Sequence, residues 1–222
     1  MVNQKWEPPH WKEVYEAILE MRSKRDAAVD QMGAEKCSDA DTLPEVRRFH
    51  TLIGLMLSSQ TKDAVTHAAV MRLREHGLTV ENILNTPVDR LKSLIYPVGF
   101  YKKKAEYIVR TCQILKEKYN CDIPETVKEL CALPGVGVDT HVHRISNRLG
   151  WTRRNTKTPE ETRKELEDWL PKDYWREANL LLVGFGQQIC LPLKPNCSNC
   201  IAQQFCPYGK KAKNSTSHIL FF

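Results

Sequence analysis

The chain has 222 residues, enough for one large domain or two small ones, with Lys plus Arg at 33, Asp plus Glu at 27 and a net charge of +6. A 41% hydrophobic content beside 27% charged residues is ordinary globular composition, which excludes a disordered or fibrous chain. The longest apolar runs, Leu52–Leu57 and Leu180–Phe185, fall far short of the ~20 residues of a bilayer span, and Met1–His10 holds no apolar core for a signal peptide, so membrane and secreted readings are poor.

Apolar residues recur at three- and four-residue intervals almost everywhere, and strand-like alternation is nearly absent, which predicts an all-α fold. Trp11, Val14, Ile18 and Met21 form the first stripe. Val46, Phe49, Ile53, Met56 and Leu57 form the second, the most apolar in the chain. Val65, Ala69 and Leu73 follow, with Gly77 as the stop. Pro87 is placed in the first turn of a short helix carrying Val88, Leu91 and Leu94. Tyr101, Ala105, Ile108, Cys112, Leu115 and Tyr119 define a long amphipathic helix that opens with Lys102, Lys103 and Lys104. Val127, Leu130 and Leu133 mark a helix running into Leu133-Pro134-Gly135-Val136-Gly137, and Val142, Ile145 and Leu149 a stripe beyond it. Arg153, Arg154 and Lys157 make a basic connector before Thr158-Pro159-Glu160-Glu161, which reads as N-cap, N1 proline and capping-box glutamate. Trp175, Leu182 and Phe185 complete a last long helix, and residues 210–222 read as a flexible tail.

Of the eight cysteines, Cys37, Cys112, Cys121 and Cys131 are scattered, whereas Cys190-x6-Cys197-x2-Cys200-x5-Cys206 crowd into one loop. Without an export signal the thiols stay reduced, so a metal or iron–sulfur site outweighs a disulfide framework. Cys₄ zinc sites usually pair two Cys-x-x-Cys knuckles, and this loop has one such pair with the other thiols wider apart. The spacing favours a cubane cluster, with zinc as the alternative. Leu133–Gly137 is a second signal: a tight turn with two glycines exposes successive backbone N–H groups, and a following helix adds the positive end of its dipole. Such a cradle grips phosphate without reading sequence, and the basic groups Lys102–Lys104 and Arg153-Arg154 point toward nucleic acid.

These two motifs stand in order with Leu57-Ser58-Ser59-Gln60-Thr61-Lys62-Asp63, with Val98-Gly99-Phe100-Tyr101 and Lys104, and with Val138-Asp139-Thr140-His141-Val142-His143-Arg144. The set, from about Trp6 to Pro207, resembles a eukaryotic endonuclease III-like DNA glycosylase, a bifunctional N-glycosylase and abasic-site lyase that removes oxidised pyrimidines in base-excision repair. The resemblance implies two helical lobes. Residues 43–137 would form a helical barrel with a helix-hairpin-helix, and 1–42 with 138–209 an iron–sulfur lobe built from both termini. Cys190, Cys197, Cys200 and Cys206 would hold a [4Fe–4S] cluster that shapes a DNA-contacting loop and takes no part in base excision. The implied partner is double-stranded DNA with damaged bases or abasic sites, lying in the cleft between the lobes. The implied state is a monomer, in the nucleus and also the mitochondrion, with no membrane association. Gln60 would fill the gap left by a flipped base, a role its amide suits as donor and acceptor, and Gly135, Val136 and Gly137 would contact the DNA backbone.

One departure is large. The family places a Schiff-base lysine two positions after the last glycine, and an aspartate, matched here by Asp139, in the later motif. Between hairpin and aspartate the family has about 18 residues, ~27 Å if wholly helical; here Gly137 passes straight into Val138-Asp139. Asp139 is present and the lysine is not, as an internal deletion would produce. The expectation is a lyase-deficient family member, with a catalytically inactive DNA-binding variant and a zinc-binding interaction module as alternatives. The loss should also remove buried apolar side chains worth roughly 1.5–3 kcal/mol each, unless the Thr140–Leu149 helix takes the vacant place.

Overall fold

The computed structural model describes residues 6–39, 41–137 and 139–216; Val138 and the last part of the tail, 217–222, lie outside the described residues. Among these residues there are α-helices and short 3-10 turns and no strand. The α-helices are α1 (Trp11–Met21), α2 (Ala28–Met32), α3 (Pro44–Ser58), α4 (Asp63–His76), α5 (Val80–Asn85), α6 (Val88–Ile95), α7 (Tyr101–Lys118), α8 (Val127–Ala132), α9 (Thr140–Leu149), α10 (Pro159–Trp169), α11 (Lys172–Gln188) and α12 (Pro207–Thr216). The chain divides into two compact units, one of residues 31–137 and one of 1–30 with 138–222.

The unit of residues 31–137 is built around α3 and α7. Their stripes bury Phe49, Ile53, Leu57, Ile108, Cys112 and Leu115, joined by Leu73 of α4, Ile83 of α5 and Leu91 of α6. Its first boundary falls at Asp30 and not at 42, because the 3-10 turn Ala34–Lys36 packs on α3. Cys37 lies wholly inside this core. Gly77 does end α4, with φ 99° and its N–H donating to Arg74 O at 2.9 Å. Pro87 precedes α6 as its N-cap instead of entering the first turn. The short α8 has no fully buried residue, and Val127 is exposed.

The other unit carries the core of Ile18, Ile145, Trp151, Trp169, Leu181 and Phe185. Here α9 packs on α10, α11 and α12, which places Val142, Ile145 and Leu149 in this core. The sequence left open whether this helix takes the vacant place in the hairpin, and the packing commits its stripe to this core. Its stripe is already matched to α11, where a Cβ on Gly186 would come within 2.6 Å of His141 Nδ1. The N-cap reading at Thr158 holds, its Oγ1 accepting from Glu161 N at 3.2 Å, but Glu161 accepts from Lys157 N and so does not close a capping box. Residues 210–216, read from sequence as loose, continue α12. The basic connector is partly neutralised: Arg153 pairs with Glu165 and Asp168 and lies 5.0 Å over the Trp6 ring.

Burial pushes the Cys112 thiol from 9.0 up to about 12 and that of Cys37 up to about 11. An unfolded thiol ionises near 9, so the folded state binds more protons above that pH. The associated stability is complete below about pH 9 and is lost as pH rises toward 11–12. Denaturant midpoints measured at neutral pH and near pH 10.5 should therefore fall more in the native chain than in Cys112→Ala. Equal losses would show that Cys112 ionises as freely folded as unfolded.

Candidate functional site

The hairpin after α8 is a tight turn closed by Val136 N–H donating to Leu133 O at 3.2 Å, and Thr111 Oγ1 of α7 donates to Pro134 O at 3.2 Å. Leu133 is buried and anchors the turn, which leaves Gly135 and Gly137 exposed. Gly135 has φ 77°, and a Cβ there would come within 2.7 Å of the Tyr107 ring, so the fold itself demands glycine. At Gly137 a Cβ would meet nothing within 4 Å, so no internal contact demands one.

Gly135 lines a recess with Gln60, Phe100, Lys103, Lys104 and Tyr107, about 670 Å³ including space open to solvent. Gln60 and Phe100 are both exposed and both left-handed, at φ 52° and 56°. The Lys102–Lys104 run does not act as one basic group: Lys102 and Lys103 are exposed, whereas Lys104 is 6% exposed. Its Nζ donates to Leu57 O at 2.7 Å, Ser59 O at 2.6 Å and Thr61 Oγ1 at 3.3 Å, and burial pushes its pKa down to about 8.

Asp139 stands in the other unit as the N-cap of α9, where one carboxylate oxygen accepts from His141 N at 2.6 Å and Val142 N at 3.2 Å. The positive end of α9 is thus met by its own carboxylate and is not left open for a phosphate.

The four loop cysteines line one cavity of about 340 Å³, partly open to solvent. Arg148, on α9, binds the loop together: Nη1 donates to Cys190 Sγ at 3.3 Å and Leu191 O at 2.7 Å, and Nη2 to Pro192 O at 2.9 Å. Gly209 N donates to Cys206 Sγ at 3.3 Å. Burial raises the Cys200 thiol to about 11 and also raises Cys197 and Cys206. Among the described residues no three His, Cys, Asp or Glu side chains gather closely enough to hold one ion, so these side-chain positions by themselves select neither zinc nor an iron–sulfur cluster.

Residues 53–172 match the model of the HhH-GPD superfamily base excision DNA repair proteins. The chain belongs to that superfamily. Within it the chain is endonuclease III-like: it is 54% identical to the chicken (Gallus gallus) endonuclease III-like protein 1, over 93% of this chain and 80% of that one. It is 56% identical to the mouse (Mus musculus) protein of the same name, over 91% and 74%. A solved structure of a trapped endonuclease III–DNA covalent intermediate superposes with a TM-score of 0.72 at 29% identity, covering 91% of this chain and 98% of that one.

The structure brings Gln60 and Gly135 together on one recess and the four loop cysteines on another. Asp139 lines neither of them. Phe100, Lys103 and Arg148 escaped selection as site residues from sequence. The signal for Phe100 was an aromatic next to Gly99 in a motif already noted; a lone Arg148 on an amphipathic stripe gave none.

Proposed function

We propose that this endonuclease III-like chain binds double-stranded DNA containing damaged bases or abasic sites, in the oxidised-pyrimidine branch of base-excision repair, and that it lacks the strand-cleaving lyase step. The observation that carries this is the recess where an exposed left-handed Gln60 and Phe100 face the same space as Gly135 and Lys103. A polar amide and an apolar ring raised side by side suit entry into a duplex, the amide facing the orphaned base and the ring wedging the stack. Val136 N–H is engaged in its own turn, so phosphate contact falls to the neighbouring amides of Gly135 and Gly137. The freedom of space at Gly137 supports this, because absence of a side chain there serves approach from outside. The nucleus and the mitochondrion, which hold duplex DNA, are the proposed compartments.

Cys190, Cys197, Cys200 and Cys206 fit a [4Fe–4S] cluster, since all four line one cavity and the sulfurs of Cys190 and Cys206 receive N–H donors, which favours anionic ligands. Such a cluster would brace the loop and α12 without touching the excised base. Lyase deficiency is supported by the missing lysine and by α8, whose lack of any buried residue fits the loss of a packing partner. The capping of α9 by Asp139 favours the second reading, a DNA-binding chain with little or no excision activity.

Duplex affinity measured against salt tests the DNA assignment. It should drop by about a thousandfold between about 50 and 200 mM salt if six or so phosphates are neutralised. Gly135→Val should weaken it further at every salt concentration, because a β-branched residue resists φ 77° and collides with Tyr107. Affinity indifferent to salt would overturn the reading.

A further inference from the structure

We propose that Lys104 is a positioning residue whose buried ammonium clamps the turn at the end of α3 and holds Gln60 in the left-handed form that projects it into the recess. This rests on reading Gln60 as the residue that enters the duplex. Residues Ser58 to Thr61 form a turn closed by Thr61 N–H to Ser58 O at 3.0 Å, with Ser59 at φ −57°, ψ 124° and Gln60 at φ 52°. That is the pattern of a type II turn, whose third position calls for glycine or asparagine. Gln60 occupies it with a full side chain, at a conformational cost that neighbouring contacts must offset.

The contacts converge on Lys104. Its three N–H groups reach Leu57 O, Ser59 O and Thr61 Oγ1, one before Gln60 in the helix and two immediately flanking it. All three partners are neutral oxygens, so the ammonium is satisfied without an opposing carboxylate, and its charge remains directly beneath the exposed turn. Thr61 Oγ1 passes the restraint on, accepting from Gly99 N at 3.1 Å. Gly99 in turn lies so close that a Cβ would come within 2.7 Å of Gln60 O. The next residue is Phe100, the second left-handed tip, and its carbonyl accepts from Lys104 N at 3.0 Å. That bond is the main-chain one that opens α7, so the lysine side chain itself holds the Gln60 turn and reaches the Phe100 segment only through Thr61 and Gly99.

A double-mutant cycle separates this role from simple core filling. Lys104→Met should lower the melting temperature of the full chain, and the loss should be at least halved when Gln60→Gly has already removed the left-handed cost. Equal losses in the two backgrounds would overturn the proposal. If Lys104→Met does not fold, Thr61→Val enters the same cycle and should couple to Gln60→Gly with the same sign; no coupling would be equally fatal. The functional reading uses a duplex with a tetrahydrofuran abasic analogue opposite 2-aminopurine. Binding should change its fluorescence in the native chain, and Lys104→Met should reduce that change even at saturating protein. A native chain that binds without any fluorescence change, or a Gln60→Gly variant that keeps it, would remove the duplex-entry role of Gln60. The stability coupling would still decide the clamp.

Discussion

Borohydride reduction of this chain on DNA carrying thymine glycol or an abasic site should trap no covalent adduct, and strand cleavage should be at least about 10⁴-fold slower than in a relative that keeps the lysine. The lyase step needs an unprotonated amine beside the sugar C1′. In the register where the resemblance expects that amine the chain has Asp139, and a carboxylate forms no Schiff base. Lys104 does not replace it, because all its donors are committed to Leu57, Ser59 and Thr61 and the side chain is buried. Lys103 is the exposed amine on the recess, standing 5.7 Å over the Tyr107 ring. An adduct mapped to Lys103 with multiple turnovers would overturn the prediction and make α7 the source of the nucleophile. Water attack assisted by Asp139 is the chemistry left, and one of its carboxylate oxygens is already held by the α9 amides it caps. Excision without cleavage should therefore be very weak or absent.

Helix periodicity was legible wherever an apolar stripe ran for two turns or more, as in α3, α7 and α9. It failed for α5, six residues whose start is set by Thr79 Oγ1 accepting from Asn82 N, and for α12, whose lysine-rich run has no stripe. The stripe of α9 was visible, but its destination was not. Val142, Ile145 and Leu149 are apolar enough for either unit, and what decides is the bare backbone at Gly186 that only α9 reaches. The same limit applies to charge. Nothing in Lys102-Lys103-Lys104 says that the third turns inward, since a buried lysine is recognised by the carbonyls around it, and those come from a segment far away in sequence. The cysteine spacing was readable because ligands to one centre must lie close in a loop; the Arg148 bond to Cys190 sulfur depends on helix packing that no local pattern encodes. Nor does Leu57-Ser58-Ser59-Gln60-Thr61 contain a glycine to announce a left-handed residue.

Purified anaerobically, the protein should be brown with about four irons per chain, and Cys200→Ala should lose both the colour and much of the stability of its unit. The loop from Cys190 to Cys206 has little apolar anchorage: Leu193 is 84% exposed and Ile201 46%, Ala202 and Cys206 are buried, and Cys190, Cys200 and Phe205 pack against the core while only partly buried. Backbone turns alone would hold it weakly. Four metal–sulfur bonds would fix it at both ends and in the middle, and through Cys206 they would secure α12 against α9. Cys200 is a suitable position to change, because it is half-buried and lines the cavity while the flanking Asn199 and Ile201 face solvent. Alanine there opens no large apolar cavity, so packing alone would cost little. A drop in melting temperature beyond that of a surface substitution would then report the lost cluster. Cys112→Ala, fully buried in the other unit, should instead keep the brown colour and full iron content. Stoichiometric zinc without iron in the native chain, or four irons retained in Cys200→Ala, would sink the assignment.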